Sequence, residues 1–238
     1  MAVLTASPEA DPAVTACDGC VTQMAMPSDT WANMRAGTPG LGMRNADTAG
    51  ITALISTQAV PDWSTFDRTI LCFDTSALTG AATVTGATLL VHVETGVTTS
   101  PLTDGISLTQ VAPAAYDTLV GDDYITVTDT IIAPDIPFGS IGPPAVDVWI
   151  MFTLNADGLA WINRFGVTAV ALRTLADAND NELLAGTTII TITSADAGTN
   201  PPVLTVIYTL GGSSGTPYYI TKKFKALHTV YGEEPFSL

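Results

Sequence analysis

An acidic segment, Asp177-Ala-Asn-Asp-Asn-Glu182, contains residue types that could bind a metal ion. It places oxygen-bearing side chains at alternate positions, Asp177, Asn179 and Asn181, followed by Glu182. Carboxylate and amide oxygens in this order resemble the start of a calcium-binding loop. The usual glycine at the sixth position is missing, and Thr188 stands at the twelfth position instead of glutamate. The segment therefore predicts either a calcium site or a polar turn between two strands.

Two of the three cysteines, Cys17 and Cys20, have the C-x-x-C spacing of redox and zinc sites. A structural zinc ion normally needs four ligands, and the remaining cysteine and histidines are Cys72, His92 and His228. A thioredoxin-like site would need a βαβ context, which is missing here. Cys72 lies in an apolar run and is expected to be a small core residue. The sequence leaves open whether Cys17 and Cys20 are inert or locally oxidised.

Paired catalytic groups are not evident. Serine and threonine are abundant, but His92 falls in the middle of a predicted strand and His228 lies near the C-terminus, so neither suggests a nucleophile with its base. Asp122 and Asp123 are adjacent on a predicted turn, and sequence cannot give the carboxylate separation that a glycosidase requires. The sequence predicts a protein that is not an enzyme.

Two tryptophans could bind a carbohydrate. Trp149 falls on the outward side of a predicted strand, and Trp63 lies in an irregular segment. Exposed aromatic rings form stacking platforms for sugars, although such a tryptophan more often covers a subunit interface or a loop. A carbohydrate-binding module is therefore one alternative function.

The chain has 238 residues, of which 47% are hydrophobic and 13% charged, so a large core is expected. The formal net charge is −15. Phosphate backbones and anionic membranes are bound by clustered lysine and arginine, so we expect no nucleic-acid partner and no membrane partner. The first residues lack the basic and apolar regions of a secretory signal, and no run of about 18 apolar residues could span a bilayer.

Alternating apolar and polar residues predict antiparallel strands. Residues 87–94 alternate in this way, and residues 146–154 do so most clearly, with Phe152 inward and Trp149 outward. Asn155 is a good cap for a short helix that follows. Three closing strands are expected at 167–174, 187–194 and 203–209.

The C-terminal residues differ in composition from the rest. Gly-Gly-Ser-Ser-Gly at 211–215 reads as a flexible linker, and all three lysines lie beyond it among five aromatic residues. Aromatic anchors and complementary charge are typical of interfaces. We predict that the segment docks into a neighbouring acidic subunit, with folding back onto its own domain as the alternative. The predicted interface residues are Tyr218, Tyr219, Lys222, Lys223, Phe224, Lys225, Leu227, Val230, Tyr231 and Phe236.

Several strand sequences resemble a known family. Residues 68–74 end a strand with Arg-x-x-L-x-F-D, residues 82–89 read A-T-V-T-x-A-T-L, and residues 201–209 read P-P-x-L-x-V-x-Y-T. Residues 34–38 are similar to the opening strand. These sequence patterns resemble those of the DNRLRE-type jelly-roll modules of phage virion proteins and secreted bacterial proteins.

The resemblance implies an all-β, antiparallel jelly-roll β-sandwich over residues 31–210, with one short helix. Residues 1–30 are predicted to form an N-terminal arm, and residues 211–238 a linker and docking segment. The expected function is that of a non-enzymatic structural protein of a bacteriophage virion: a capsid decoration, head-fibre or tail-associated subunit. It would be made in the host cytoplasm and would assemble with copies of itself and other virion proteins. A secreted filament subunit is a further alternative.

Overall fold

The structure is a computed structural model that describes residues 1–10, 13–37, 44–46, 51–59, 62–98, 105–137, 146–182 and 187–211. Thirteen strands within these ranges form antiparallel pairs. In chain order they are β1 (Ala2–Ala6), β2 (Asp18–Asp29), β3 (Arg44–Ala46), β4 (Ile51–Ala59), β5 (Asp62–Asp74), β6 (Ala82–Thr98), β7 (Gly105–Val111), β8 (Val127–Ile131), β9 (Ile136–Pro137), β10 (Val146–Thr153), β11 (Val167–Thr174), β12 (Thr187–Thr193) and β13 (Val203–Leu210).

Short helices interrupt the strands. In the described ranges the α-helices are α1 (Trp31–Ala36), α2 (Ala156–Trp161) and α3 (Leu175–Ala178), and short 3₁₀ helices cover Ser76–Leu78, Gly121–Thr126 and Ala195–Ala197. Within the described ranges, no helix is long and apolar enough to cross a membrane.

The strands pack as two sheets of a β-sandwich, which confirms the predicted fold class. Sheet I contains β1, β13, β6, β10 and β12, and sheet II contains β2, β3, β5, β11, β7, β8 and β9. β4 hydrogen-bonds to β12 on one side and to β5 on the other, so it joins the sheets. The jelly-roll order of connections stays a prediction.

The first core lies between the two sheets. Leu71 and Phe73 of β5 meet Leu89 and Val91 of β6 there, and all four side chains are fully buried. Alternate residues of a strand face opposite sides, so these four residues point into the sandwich interior and their neighbours along each strand point outward.

A second core covers the outer side of sheet II. Ile70 and Cys72 of β5 point into it, and so does Ala171 of β11. Trp31 and Met34 of α1 close it from outside. Because both faces of β11 are covered, all eight of its residues are buried.

The predicted N-terminal arm at residues 1–30 is wrong, because this segment belongs to the sandwich. β1 pairs with β13 in the register Ala2↔Tyr208 to Ala6↔Leu204, and β2 pairs with β5. Leu4 packs against the first core. The five residues of β1 are too few to show a sustained period, and their partner lies about 200 residues away in the sequence.

The prediction of an opening strand at residues 34–38 is also wrong, because residues 31–36 form the helix α1. Residue 38 lies outside the described ranges. The Thr30 side chain caps this helix by accepting a hydrogen bond from the Asn33 N–H at 3.3 Å. Gly37 ends it with a φ of 70°, a conformation that glycine adopts without strain.

The helix and strands from β10 onward agree with the predictions made from the sequence. Asn155 caps α2 by accepting from the Gly158 N–H at 2.9 Å. β10 buries Ile150 and Phe152 and exposes Trp149, as its alternation predicts. The closing strands β11, β12 and β13 lie within one residue of their predicted ends.

Candidate functional site

Asp177 lies at the centre of a buried arginine cluster. Arg68 of β5 donates to it from Nε at 2.9 Å and from Nη2 at 3.0 Å. Arg173 of β11 donates from Nε at 2.8 Å and from Nη2 at 2.7 Å. Burial alone would raise the pKa of Asp177, but the two guanidinium groups hold it well below its usual range.

Further charges complete this cluster. Arg35 of α1 forms an ion pair with Asp129 at 2.8 Å, and Arg173 forms another with the same carboxylate at 2.7 Å. The Arg68 guanidinium stacks over the Tyr124 ring, 3.9 Å from its centroid. Burial raises the pKa of the Tyr124 hydroxyl, which donates to the Met34 carbonyl oxygen at 2.9 Å. The cluster therefore ties α1 to sheet II.

The calcium loop expected at Asp177, Asn179, Asn181 and Glu182 is not formed. Both carboxylate oxygens of Asp177 face guanidinium groups, which repel a cation. Asn179 and Asn181 are exposed, and Glu182 accepts from the Trp63 indole N–H at 3.0 Å. Across the described ranges, no group of three or more histidine, cysteine, aspartate or glutamate residues could hold a metal ion.

Trp63 cannot stack on a sugar, because it is fully buried. Its ring packs edge-on against Trp31 at 4.9 Å and against Phe66 at 5.5 Å in the second core. The expectation of an irregular, accessible segment here is wrong, since β5 begins at Asp62 and carries Trp63 inward.

Trp149 is exposed, as expected. Its side chain is 47% exposed, and its neighbour two residues along β10, Met151, is 57% exposed. In the register of β10 with β6, Trp149 pairs with His92 and Met151 pairs with Leu90. The Trp149 ring lies 5.1 Å from the His92 ring, so one of its faces is covered in part.

Trp149 and Met151 belong to a larger surface on the outer side of sheet I. The register continues Met151 and Leu90 into Val203 of β13. Further along the same side of the sheet, Ile207 of β13 lies opposite Val3 of β1. Val3 is 57% exposed, and the two β13 side chains are half-buried. We call this surface the outer apolar face; its residues are Val3, Leu90, Trp149, Met151, Val203 and Ile207.

The outer apolar face is almost free of charge. Threonines fill the positions between its apolar residues, among them Thr88 and Thr205. In the described parts of the strands that carry it, the acidic side chains are Asp147 and Glu94, both toward one end. The row Thr153, Thr88 and Thr205 separates the apolar residues into two groups on one side of the sheet. Exposed apolar groups framed by uncharged polar residues are typical of interaction sites.

His92 connects an acid to a hydroxyl beside this face. Its Nε2 is 2.8 Å from Asp147 Oδ1, and its Nδ1 is 2.8 Å from Thr193 Oγ1. In hydrolytic triads the acid is buried and the hydroxyl meets the substrate. Here Thr193 is 6% exposed whereas the Asp147 side chain is 82% exposed, so the order of burial is reversed.

The His92 arrangement is better explained as a clamp. It joins β6, β10 and β12, and Asp147 adopts a φ of 56° at the start of β10. The sequence did not indicate it, because Asp147 and Thr193 are distant from His92 along the chain. One sequence signal could have indicated the contact between His92 and Asp147. Both residues fall at outward positions of their strands, β6 and β10, and these strands pair.

The predicted docking segment lies outside the described residues, which end at Gly211. There the Gly211 N–H donates to the Ala81 carbonyl oxygen at 2.9 Å. The docking role of the aromatic, lysine and aliphatic residues from Tyr218 to Phe236 therefore stays a prediction.

No protein-family model matches the chain, and no curated protein is similar enough to count as a relative. The likeness to DNRLRE-type modules therefore rests on the strand sequences alone.

Proposed function

We propose that this chain is a non-enzymatic structural subunit of a bacteriophage virion that forms a homo-oligomer through surfaces of its sandwich. A capsid decoration, a head-fibre subunit or a tail-associated subunit each fits this role. The outer apolar face is the observation that carries the proposal. The resemblance of the strand sequences to virion jelly-roll modules supports the choice of a virion and a jelly-roll topology.

Charge favours the outer apolar face as the contact between copies. The chain carries a net charge of −15, so two copies repel each other wherever their acidic surfaces meet. The outer apolar face avoids this repulsion, because its central positions are apolar or threonine. Burial of Trp149 and Met151 in such a contact would remove a large apolar area from water, which stabilises association.

The segment after Gly211 provides a second contact in the proposal. Residues 1–215 carry a net charge of −16, whereas residues 216–238 carry +1 and hold every lysine of the chain. A segment with lysines and aromatic residues complements the acidic body of a neighbour. The proposed partners are copies of the same chain and other virion proteins.

Exposure of Trp149 favours one second candidate, a carbohydrate-binding module. The ring is 47% exposed and could stack on a sugar. It would act without the second predicted tryptophan, because Trp63 is buried. A glycan array probed with the wild-type chain and with Trp149→Ala tests this candidate.

The experiment that tests assembly compares three full-length chains by light scattering after size exclusion and by electron microscopy. These are the wild type, the double variant Trp149→Ser/Met151→Ser and the control Phe165→Ser. Phe165 is 75% exposed, lies on the turn after α2 and is not one of the residues of the outer apolar face. We expect the wild type and the control to form the same oligomer and the double variant to be reduced to smaller species.

Two results would contradict the proposal. One is a double variant that is folded by circular dichroism and assembles as the wild type does. The other concerns the virion itself. Particles are purified from a lysate of cells that make the chain, and mass spectrometry should detect the chain at a fixed ratio to the other particle proteins. Absence of the chain from the particles would exclude this role.

A further inference from the structure

Cys17 and Cys72 face each other across two paired strands. The register of β2 with β5 sets Asp18 opposite Leu71, so the preceding residue, Cys17, lies opposite Cys72. The Cys72 N–H donates to the Cys17 carbonyl oxygen at 3.0 Å. The Cys17 N–H donates instead to the Tyr116 carbonyl oxygen at 2.7 Å. Directly opposite residues of antiparallel strands have Cα atoms about 4.5 to 5.5 Å apart, depending on how they are hydrogen-bonded. That separation lies within the range that a disulfide bridges.

The two side chains also point to the same place. Both are fully buried in the second core. The Cys17 thiol contacts the Cys72 thiol and, together with burial, raises the pKa of the Cys72 thiol well above its usual range. In the folded chain Cys72 is therefore a protonated, poorly reactive thiol.

Cys20 is placed differently, which excludes the local pair suggested by the C-x-x-C spacing. It lies three residues after Cys17 and pairs with Thr69, so the two cysteines point to opposite faces of the strand. Three residues of extended chain separate their Cα atoms by about 10 Å. A disulfide cannot span that distance without moving the backbone.

We propose that Cys17 and Cys72 form a disulfide bond when the chain folds under oxidising conditions, and that Cys20 takes no part in this bond and keeps its thiol. A small-molecule disulfide serves as oxidant. One cysteine thiolate attacks it, forms a mixed disulfide and releases one thiol; the second cysteine then attacks the mixed disulfide and releases the other thiol. Both cysteines lose a proton, the new S–S bond forms, and the oxidant is reduced to two thiols.

The bond would fasten the N-terminal segment to the centre of sheet II. Cys17 precedes β2, and Cys72 lies in the long strand β5 that contacts β2, β4 and β11. A bridge between residues 17 and 72 restricts the unfolded chain over a long loop, which stabilises the folded state. The inference is independent of the proposed assembly, since neither thiol lies on the outer apolar face.

The test uses the full-length variant Cys20→Ser, which keeps only the proposed pair. It is refolded once with oxidised and reduced glutathione and once with dithiothreitol, then denatured, alkylated and weighed by mass spectrometry. We expect no alkylated cysteine after oxidising refolding and two after reducing refolding. The oxidised form should also have a higher Tm, and the Tm difference should vanish in the control Cys17→Ser/Cys20→Ser.

The wild-type chain allows a second measurement, which does not require any variant to fold. After oxidising refolding, peptide mapping should find Cys17 linked to Cys72 and the alkyl label on Cys20. The inference is overturned if the folded oxidised chain carries three labelled cysteines. It is equally overturned if Cys20 is found in the bond, or if the linkage joins two chains.

Discussion

The guanidinium of Arg68 lies edge-on against the carboxylate of Asp177, with Nε 2.9 Å from Oδ2 and Nη2 3.0 Å from Oδ1. The two residues are 109 positions apart in the sequence, and both are almost fully buried. Arg173 binds the same carboxylate from the neighbouring strand. Asp177 therefore compensates two buried positive charges and determines how α3 packs on sheet II.

Removing the negative charge of Asp177 should destabilise the fold severely. In Asp177→Asn the shape is kept, but the buried Arg68 guanidinium loses the carboxylate that it binds, and Arg173 keeps only the exposed Asp129 as a counter-ion. The loss of one partner from a buried ion pair costs about 3–5 kcal/mol. Urea unfolding followed by circular dichroism measures it, with the exposed Asp157→Asn as control. Equal unfolding midpoints for the two variants would contradict this view of the cluster.

The stability that Asp177 supplies should depend on pH in a defined direction. Its pKa is lower in the folded chain than in the unfolded chain, so the unfolded chain binds the proton more tightly. The contribution is present in full above the usual carboxyl pKa of about 4 and is lost as the pH falls toward the lower folded value. The difference in unfolding free energy between wild type and Asp177→Asn should shrink on acidification. Urea titrations from neutral to strongly acidic pH check this, and a constant difference would count against it.

Opposite faces of β10 should respond differently to truncation. Phe152 is 1% exposed in the first core, so Phe152→Ala should cost about 3–5 kcal/mol. Trp149 is 47% exposed on the outer apolar face, so Trp149→Ala should cost about 1 kcal/mol or less in the monomer. Unfolding at low protein concentration separates these effects from assembly. Comparable losses would place Trp149 in a buried position.

Gly158 should not accept alanine, although alanine favours helices. A methyl group there would overlap the carbonyl oxygen of Ile132 and the side chain of Leu154. Helix propensity alone would make Gly→Ala favourable by about 1 kcal/mol. We expect Gly158→Ala to lower the Tm, because the backbone of Ile132 must move. A useful comparison is Gly86→Ala, where the added carbon meets only the Ile207 side chain at ordinary contact distance.

A chain that ends at Leu210 should fold but not assemble fully. β13 ends at that residue, so the truncation leaves intact the thirteen strands of the described ranges. The truncation removes the three lysines and five aromatic residues of the proposed docking segment. Circular dichroism should show an unchanged fold, and light scattering should show smaller oligomers than the full chain forms. If the truncated chain reaches the full oligomer, docking by this segment is excluded.

Local patterns predicted a good part of this structure. The alternation in β10 was enough to place Phe152 inside and Trp149 outside, because neighbouring residues of a strand face opposite sides. The cap at Asn155 located α2, since its side chain satisfies a backbone donor within three residues. Such features depend on a few adjacent residues.

Other features were decided only by contacts between distant segments. The Asp177 segment has the composition of a calcium loop, yet the fold brings Arg68 and Arg173 to it and makes it an ion-pair centre. Trp63 became a core residue because α1 and Glu182 cover it, and β1 found its partner about 200 residues away. The composition of a segment shows which side chains it contains. Their burial and their partners depend on strand register, because register brings together residues that are far apart in the sequence.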